Sequence, residues 1–352
     1  MVALPWPTAK LPERVPGYEE VVSNPVGGFL DSLLRGVSQI MFQNNPLTGA
    51  LFLAGIFYNS VTFGLYALLG VSVSTLTAIA MGVQRDLWRA GLFGFNGTLV
   101  GIALAFFLEP SGAVAAYVIV GAALSTVIMA ALLHLLSGRG VPALTAPFVL
   151  ATWFLLFASF SFHVLDQTAF IPRGAFPSPV MERAEPSPGM FFDGFFRGFG
   201  QVMFQDNVGT GAFFLGGLLV NSPISMSFAA AGSLIGLLVG LGMGSPETAL
   251  RSGLFGFNPL LTGIALGGFF LVLTPWSALF AVLGMVVTAL LFPTFVNALT
   301  PWGMPALTAP FVITTWLFIA AVPFFRVLRP VPLTELSSPE GHLRAYAAAG
   351  GR

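Results

Sequence analysis

The chain has 352 residues, 56% hydrophobic and 8% charged, and its 14 Lys and Arg balance 14 Asp and Glu to a formal net charge of zero. A mean hydropathy of +0.87 excludes an ordinary soluble domain, where about 25% of residues carry charge, and the neutral balance argues against a nucleic-acid partner. Zero cysteines exclude disulfides, thiolate metal sites and a cysteine nucleophile.

Residues 1–27, with Lys10, Glu13, Arg14, Glu19 and Glu20 among prolines, lack an apolar signal-type segment and read as a polar tail at the membrane surface. The first helix is expected over 29–42, amphipathic at its start through Asp31 and Arg35, with Gln39 near its far end. Helices over 46–58, opened by Pro46, and over 62–81 follow, and Arg85, Asp86 and Arg89 mark an interface. The apolar stretch 87–108 is interrupted by Gly91, Gly94 and Gly97 around Phe95-Asn96, which predicts a half-helix ending near Asn96. A long helix over 112–136 and a closing helix over 145–163 complete a repeat of 28–163. Residues 164–190 form a proline-rich linker that includes Arg173, Glu182, Arg183 and Glu185. A second repeat spans 191–325, and a polar tail, 326–352, carries Arg326, Arg329, Arg344 and Arg352.

The segments are continuously apolar, and from 252 to 325 no Asp, Glu, Lys, Arg or His occurs. This favours membrane helices over the alternating pattern of a β-barrel. Three blocks establish the duplication. Gly91-Leu92-Phe93-Gly94-Phe95-Asn96 returns at 253–258, Gln39-Ile40-Met41-Phe42-Gln43 as Gln201-Val202-Met203-Phe204-Gln205, and Pro142-Ala143-Leu144-Thr145-Ala146-Pro147-Phe148 at 305–311. Five full spans and one half-helix per repeat invert the second copy and put both termini on one side. That side collects Lys10, Arg14, Arg139, Arg251 and the four tail arginines against Arg85, Arg89, Arg173 and Arg183 opposite, which assigns the termini to the cytoplasmic side of the cell inner membrane.

Coupled carriers need ionisable groups inside the membrane. Here the charged residues of the repeats, among them Asp31, Arg35, Asp193, Arg197 and Asp206, are expected towards helix ends, which leaves a small neutral polar solute moving down its gradient. Gln39 and Gln201 either give each mouth an amide or bond neighbouring helices. Thr145 and Thr308, each before Ala-Pro, are expected to N-cap their helices; a hydroxyl there can also donate to and accept from a passing amide. Phe95, Phe257 and Phe42 are core or the walls of an aromatic slot that Leu99 and Leu261 share. Asn96 and Asn258 cap or tie down the broken backbone. His134 and His163 form no duplicated pair, which weakens an ammonia channel, and Asn45-Pro46 and Asn258-Pro259 lack the features of a water channel. No catalytic residue, cofactor or metal is expected. The alternatives to a selective channel are a channel for related amides, ammonia or water, and a non-transporting membrane scaffold.

With both Leu-Phe-Gly-Phe-Asn copies, the two Gln passages and the two Leu-Thr-Ala-Pro-Phe blocks in hand, the chain from about 29 to 325 resembles the urea transporter family. The resemblance implies a homotrimer with one urea pore per subunit, a passive channel-like mechanism, and no cofactor. It further implies that Gln39 and Gln201 line the outer filter and that Phe95 and Phe257 form aromatic slots. Thr145, Thr308, Leu99 and Leu261 would surround the constricted centre, with Phe42 and Val202 lining positions near the mouths. Some bacterial relatives carry an acidic residue at one mouth, where this chain has glutamine at both.

Overall fold

The computed structural model describes residues 18–180 and 184–350; Lys10, Glu13 and Arg14 of the N-terminal tail, Glu182 and Arg183 of the linker, and Arg352 lie outside the described residues. In the first half α1 spans Tyr18–Ser23, α2 Pro25–Gln39, α3 Pro46–Asn59 and α4 Val61–Ala80. A short α5 (Arg85–Arg89) precedes α6 (Gly94–Phe107), α7 (Gly112–Leu136) and α8 (Ala146–Ser159). The second half repeats α2 to α8 as α9 (Pro188–Gln201), α10 (Val208–Asn221), α11 (Pro223–Gly242), α12 (Glu247–Arg251), α13 (Phe257–Ile264), α14 (Pro275–Leu299) and α15 (Ala309–Ala321). A final helix, α16 (Pro339–Ala348), has no counterpart among the described residues of the first half.

Four helices are long and apolar enough to cross a membrane, Val61–Ala80, Gly112–Leu136, Pro223–Gly242 and Pro275–Trp302, two in each half. The others are shorter, and the closing segment expected over 145–163 is a helix of 14 residues. Several helix starts follow ordinary capping chemistry. Asn24 accepts from the Val26 amide with Pro25 at the first helical position, so α2 begins a turn earlier than expected. Asp31 and Arg35 therefore lie in the middle of α2, not at its start. Both are buried and pair at 2.7 Å, with Tyr18 Oη donating to Asp31 at 2.5 Å and Arg35 donating to Asn44 Oδ1 at 2.6 Å. Each charge has a partner, the condition under which buried charge is tolerated.

The half-helix expected to end near Asn96 instead begins there: α6 starts at Gly94 and continues to Phe107. Gly97 and Gly101 are not breaks but contact points. A Cβ at Gly97 would stand 2.2 Å from Ser74 Oγ, and one at Gly101 2.2 Å from the Tyr66 carbonyl, because α6 lies directly against α4.

The relation between the halves follows from two reciprocal hydrogen bonds. Thr48 Oγ1, near the start of α3, donates to the Gly217 carbonyl near the end of α10, and Thr210 Oγ1, near the start of α10, donates to Gly55 near the end of α3, each at 2.8 Å. The equivalent helices α3 and α10 thus run antiparallel. A two-fold operation that relates antiparallel helices is perpendicular to them and lies in the membrane plane, so the repeats are inverted. The duplication and the all-helical membrane architecture are as the sequence predicts.

The repeat spacing is 162 residues at Leu99 and Leu261 but 163 at the bridge pairs Leu108↔Gln167 and Leu271↔Pro330. The extra residue falls within the π-helical turn Ala265–Phe269, the usual structural trace of a single insertion. Helix α16 is seated on this turn: His342 Nδ1 meets the Gly268 carbonyl at 2.9 Å, Nε2 accepts from the Ser337 amide at 2.8 Å, and Glu340 accepts from Ser222 Oγ and the Ile224 amide at the start of α11. Since Nε2 is an acceptor, the neutral ring carries its proton on Nδ1. Burial lowers the His342 pKa, against opposing contributions from the Gly268 and Glu335 backbone and the Glu340 charge. The undocked ring, with a pKa near 6.5, binds a proton before the docked one does, so docking is at full strength above that value and is lost as pH falls through the lowered one. Hydrogen exchange over 339–348, corrected for intrinsic rates, should accelerate between pH 8 and pH 5; unchanged protection would remove His342 as the docking element.

Candidate functional site

Two cavities lie on either side of one contact between the halves. The narrow one, about 60 Å³, is lined by Gln39, Phe42, Phe95, Leu144 and Thr145 among others; the wide one, about 520 Å³, by the repeat equivalents Gln201, Phe204, Phe257, Leu307 and Thr308. Thr145 Oγ1 and Thr308 Oγ1 are 2.7 Å apart and both residues are 3% exposed, so the two cavities end on a pair of hydrogen-bonded hydroxyls.

The backbone presents these residues in a conformation that ordinary side chains avoid. Among the described residues, the non-glycine residues with positive φ are Phe42 (62°), Leu144 (54°), Phe204 (61°) and Leu307 (51°), and all four line the cavities. Left-handed backbone at non-glycine positions costs of order 1 kcal/mol or more each and persists only where the surroundings enforce it. The surroundings here are cross-repeat bonds. Gln43 Nε2 donates to the Met41 carbonyl at 2.6 Å while its Oε1 accepts from Asn221 at 2.6 Å, and Gln205 does the same with Met203 and Asn59 at 2.6 and 2.8 Å. The loops before the threonines are held by Trp153 Nε1 to Pro305 O and Trp316 Nε1 to Pro142 O, each at 2.8 Å.

The expectation that Thr145 and Thr308 cap α8 and α15 is corrected. Neither makes a side-chain cap bond, and their φ/ψ of −90°/12° and −95°/16° are not the extended conformation a cap requires. The left-handed residue ahead of each turns it away from its own helix. The first-turn amides of Phe148 and Phe311 are met instead by Asn96 Oδ1 at 3.0 Å and Asn258 Oδ1 at 3.2 Å, consistent with these asparagines tying down the broken backbone.

The hydrogen-bonding alternative for the glutamines is visible in the structure. Gln39 Nε2 donates to the Ala90 carbonyl at 3.0 Å and Gln201 Nε2 to Ser252 at 2.9 Å, just ahead of the two glycine turns, and each residue also lines its cavity. Among the described residues no protein donor meets either Oε1, which is left as an acceptor. Phe95 and Phe257 line one cavity each, and Val202 lines the wide one. Leu99 and Leu261, both fully buried, line neither.

The aromatic surroundings extend beyond the expected residues. Phe42 packs on Phe269, Phe270 and Phe311 with centroids 4.9, 5.6 and 6.0 Å away, and Phe204 on Phe106, Phe107 and Phe148 at 5.4, 5.8 and 6.2 Å. Each box takes its rings across the repeats. Phe204 was signalled by the repeat of Phe42; the Phe-Phe pairs are a further duplicate, Phe106-Phe107 and Phe269-Phe270, at the 163-residue spacing. The narrow cavity has no ionisable lining residue, while the wide one has Asp206, partnered by Arg197 at 2.9 Å.

Inverted halves whose short helices begin at a shared buried centre, between two cavities walled by amides, rings and hydroxyls, define the class: a polytopic membrane protein built for transport. The chain belongs to the urea transporter family, whose profile matches residues 30–323. It is similar to urea transporter 1 of sheep (Ovis aries), 32% identical over 316 residues, and of rat (Rattus norvegicus), 33% identical over 316 residues, in each case covering 89% of this chain and 82% of the relative.

Proposed function

We propose that this chain passes urea across the membrane by facilitated diffusion. The observation that carries the proposal is the Thr145–Thr308 hydroxyl pair at the meeting of two cavities, supported by membership of the urea transporter family. Urea is planar, neutral, and offers both amide hydrogens and a carbonyl. Gln39 and Gln201 supply amide oxygens at the two approaches, Phe42, Phe95, Val202 and Phe257 flank the molecular plane, and the threonines exchange their mutual bond for bonds to the solute, with Leu99 and Leu261 backing the centre. Selectivity comes from replacing the solute's hydration by fixed acceptors and donors in a narrow passage. No coupling ion enters the scheme, since the narrow cavity is uncharged.

The same reading takes the units 28–163 and 191–325 as the two halves of one pore, the assembled protein as a homotrimer, and the termini as cytoplasmic at the inner membrane. Proteoliposomes bearing the protein should equilibrate urea much faster than empty ones in stopped-flow light scattering. Equal rates would leave the non-transporting scaffold reading standing. Acetamide, ammonia and water permeabilities measured beside urea separate a urea channel from one in which urea is incidental.

A further inference from the structure

The amides at the start of α8 and α15 can be accounted for completely. Ala146 N donates to Ala143 O at 3.3 Å, Pro147 has no N–H, Phe148 N donates to Asn96 Oδ1 at 3.0 Å and Val149 N to Thr145 O at 3.0 Å. In the second half Ala309 N donates to Ala306 O at 3.2 Å, Pro310 has none, Phe311 N donates to Asn258 Oδ1 at 3.2 Å and Val312 N to Thr308 O at 3.0 Å. No threonine hydroxyl is used. Five other helices cap conventionally: Asn45, Ser60, Asn207, Ser222 and Thr274 are extended and accept from their own first turns. Helices α8 and α15, like α5, α6, α12 and α13, start without a side-chain cap of their own, and α8 and α15 are both capped from another helix in the same way.

We infer that Asn96 and Asn258 are positioning residues for transport: by capping α8 and α15 from a different helix, they keep the Thr145 and Thr308 hydroxyls free for the solute. The inference rests on the threonine pair being the centre of the filter. Its physical basis is competition for one acceptor. Phe148 and Phe311 are fully buried, and a buried amide without a partner is costly. With the asparagine oxygen removed, the acceptor suited to that amide is the threonine hydroxyl one turn away, the group a conventional cap would use. A threonine so recruited is withdrawn from the passage.

The two asparagines are not equivalent in their second bond. Asn258 Nδ2 donates to the Leu307 carbonyl at 3.2 Å and so spans the strained turn that carries Thr308, whereas Asn96 Nδ2 meets only Met129 Sδ at 3.8 Å. Asn96→Asp therefore keeps the essential acceptor and gives up one weak contact.

The test is urea permeability of proteoliposomes, with water permeability as the internal reference, for the wild type, Asn96→Leu, Thr145→Val, the double variant and Asn96→Asp. Asn96→Leu and Thr145→Val are each expected to lower urea permeability roughly 10- to 100-fold, the scale of one stranded polar group. The double variant should fall no more than about 2-fold below Thr145→Val, because residues acting through one another are not additive. Asn96→Asp should restore most of the lost urea permeability. Losses that multiply in the double variant, or an Asn96→Leu rate equal to wild type, overturn the positioning role while leaving the filter intact. An unchanged Thr145→Val overturns the filter reading and this inference with it. Where Asn96→Leu does not yield folded protein, Asn96→Asp decides alone: a loss as deep as that of Thr145→Val overturns the inference.

Discussion

Thr145→Val and Thr308→Val are each expected to lower urea permeability roughly 10- to 100-fold, and Thr145→Ser and Thr308→Ser to retain most of it. Valine matches threonine in shape, so the pathway keeps its width and loses only a hydroxyl. Each hydroxyl now bonds the other at 2.7 Å, a satisfied state in which neither leaves an orphan polar group. A urea molecule entering between them replaces one hydroxyl–hydroxyl bond by bonds to its own amide and carbonyl, close to an even exchange. With valine on one side the solute meets a methyl where it needs a partner. A polar group so stranded in a dry site costs about 1–3 kcal/mol, a range that contains the roughly 1.4–2.7 kcal/mol equivalent to the stated rate loss. The same argument makes the double valine variant nearly impermeable, since both side-chain hydroxyls at the junction of the cavities are then gone. Purified variants compared by stopped-flow light scattering, with assembly checked by size exclusion, decide the matter. Wild-type urea flux in both single variants would remove the threonines from the mechanism.

The residues of the candidate site that line the two cavities were legible because the chain carries them twice. Gln39 with Gln201, Phe95 with Phe257 and Thr145 with Thr308 stand out in sequence as duplicates, and each pair is divided between the two cavities. Direction along the chain was harder to read. Glycines around Phe95-Asn96 signalled a break, but Gly91 ends one turn while Gly97 and Gly101 serve close packing against α4; composition alone does not separate these uses. Asn96 therefore begins a helix where an end was expected.

The capping error has a different origin. Thr before Ala-Pro is a sound local signal for an N-cap, and it was overridden by Leu144 and Leu307 in left-handed backbone. Leucine carries no sequence mark for that conformation, and the partner that takes over the cap is about 50 residues away. The 163-residue spacing of the later blocks was visible in the sequence, yet its expression as a π-turn under α16 was not. What repeats by residue type can be found in the chain; what depends on contacts between distant segments cannot.

Gly91→Ala and Gly253→Ala are expected to be the most destabilising single-methyl additions in the molecule's duplicated motif. Both glycines have left-handed φ, 76° and 75°, where an alanine costs roughly 1–2 kcal/mol. Space adds a second and larger penalty. A Cβ at Gly91 would lie 2.4 Å from the Gly36 nitrogen and 2.5 Å from the Arg35 carbonyl carbon; one at Gly253 would lie 2.3 Å from the Gly198 nitrogen and 2.5 Å from the Arg197 carbonyl carbon. These are backbone atoms in α2 and α9, which cannot rotate aside as a side chain would. The helix has to move, and with it Gln39 or Gln201 on the next turn, so stability and the mouth geometry are lost together. Gly82 separates the two penalties: its φ is 72°, but nothing lies within 4 Å of an added Cβ. Gly82→Ala should therefore show the conformational cost alone, a shift of about 1–2 kcal/mol, while Gly91→Ala and Gly253→Ala lose several kcal/mol, a large share of the stability of a typical fold. Thermal melts of the detergent-solubilised variants followed by size exclusion measure the difference. Melting of Gly91→Ala as mild as that of Gly82→Ala would show that the approach of the motif to α2 is not what fixes the pathway's start.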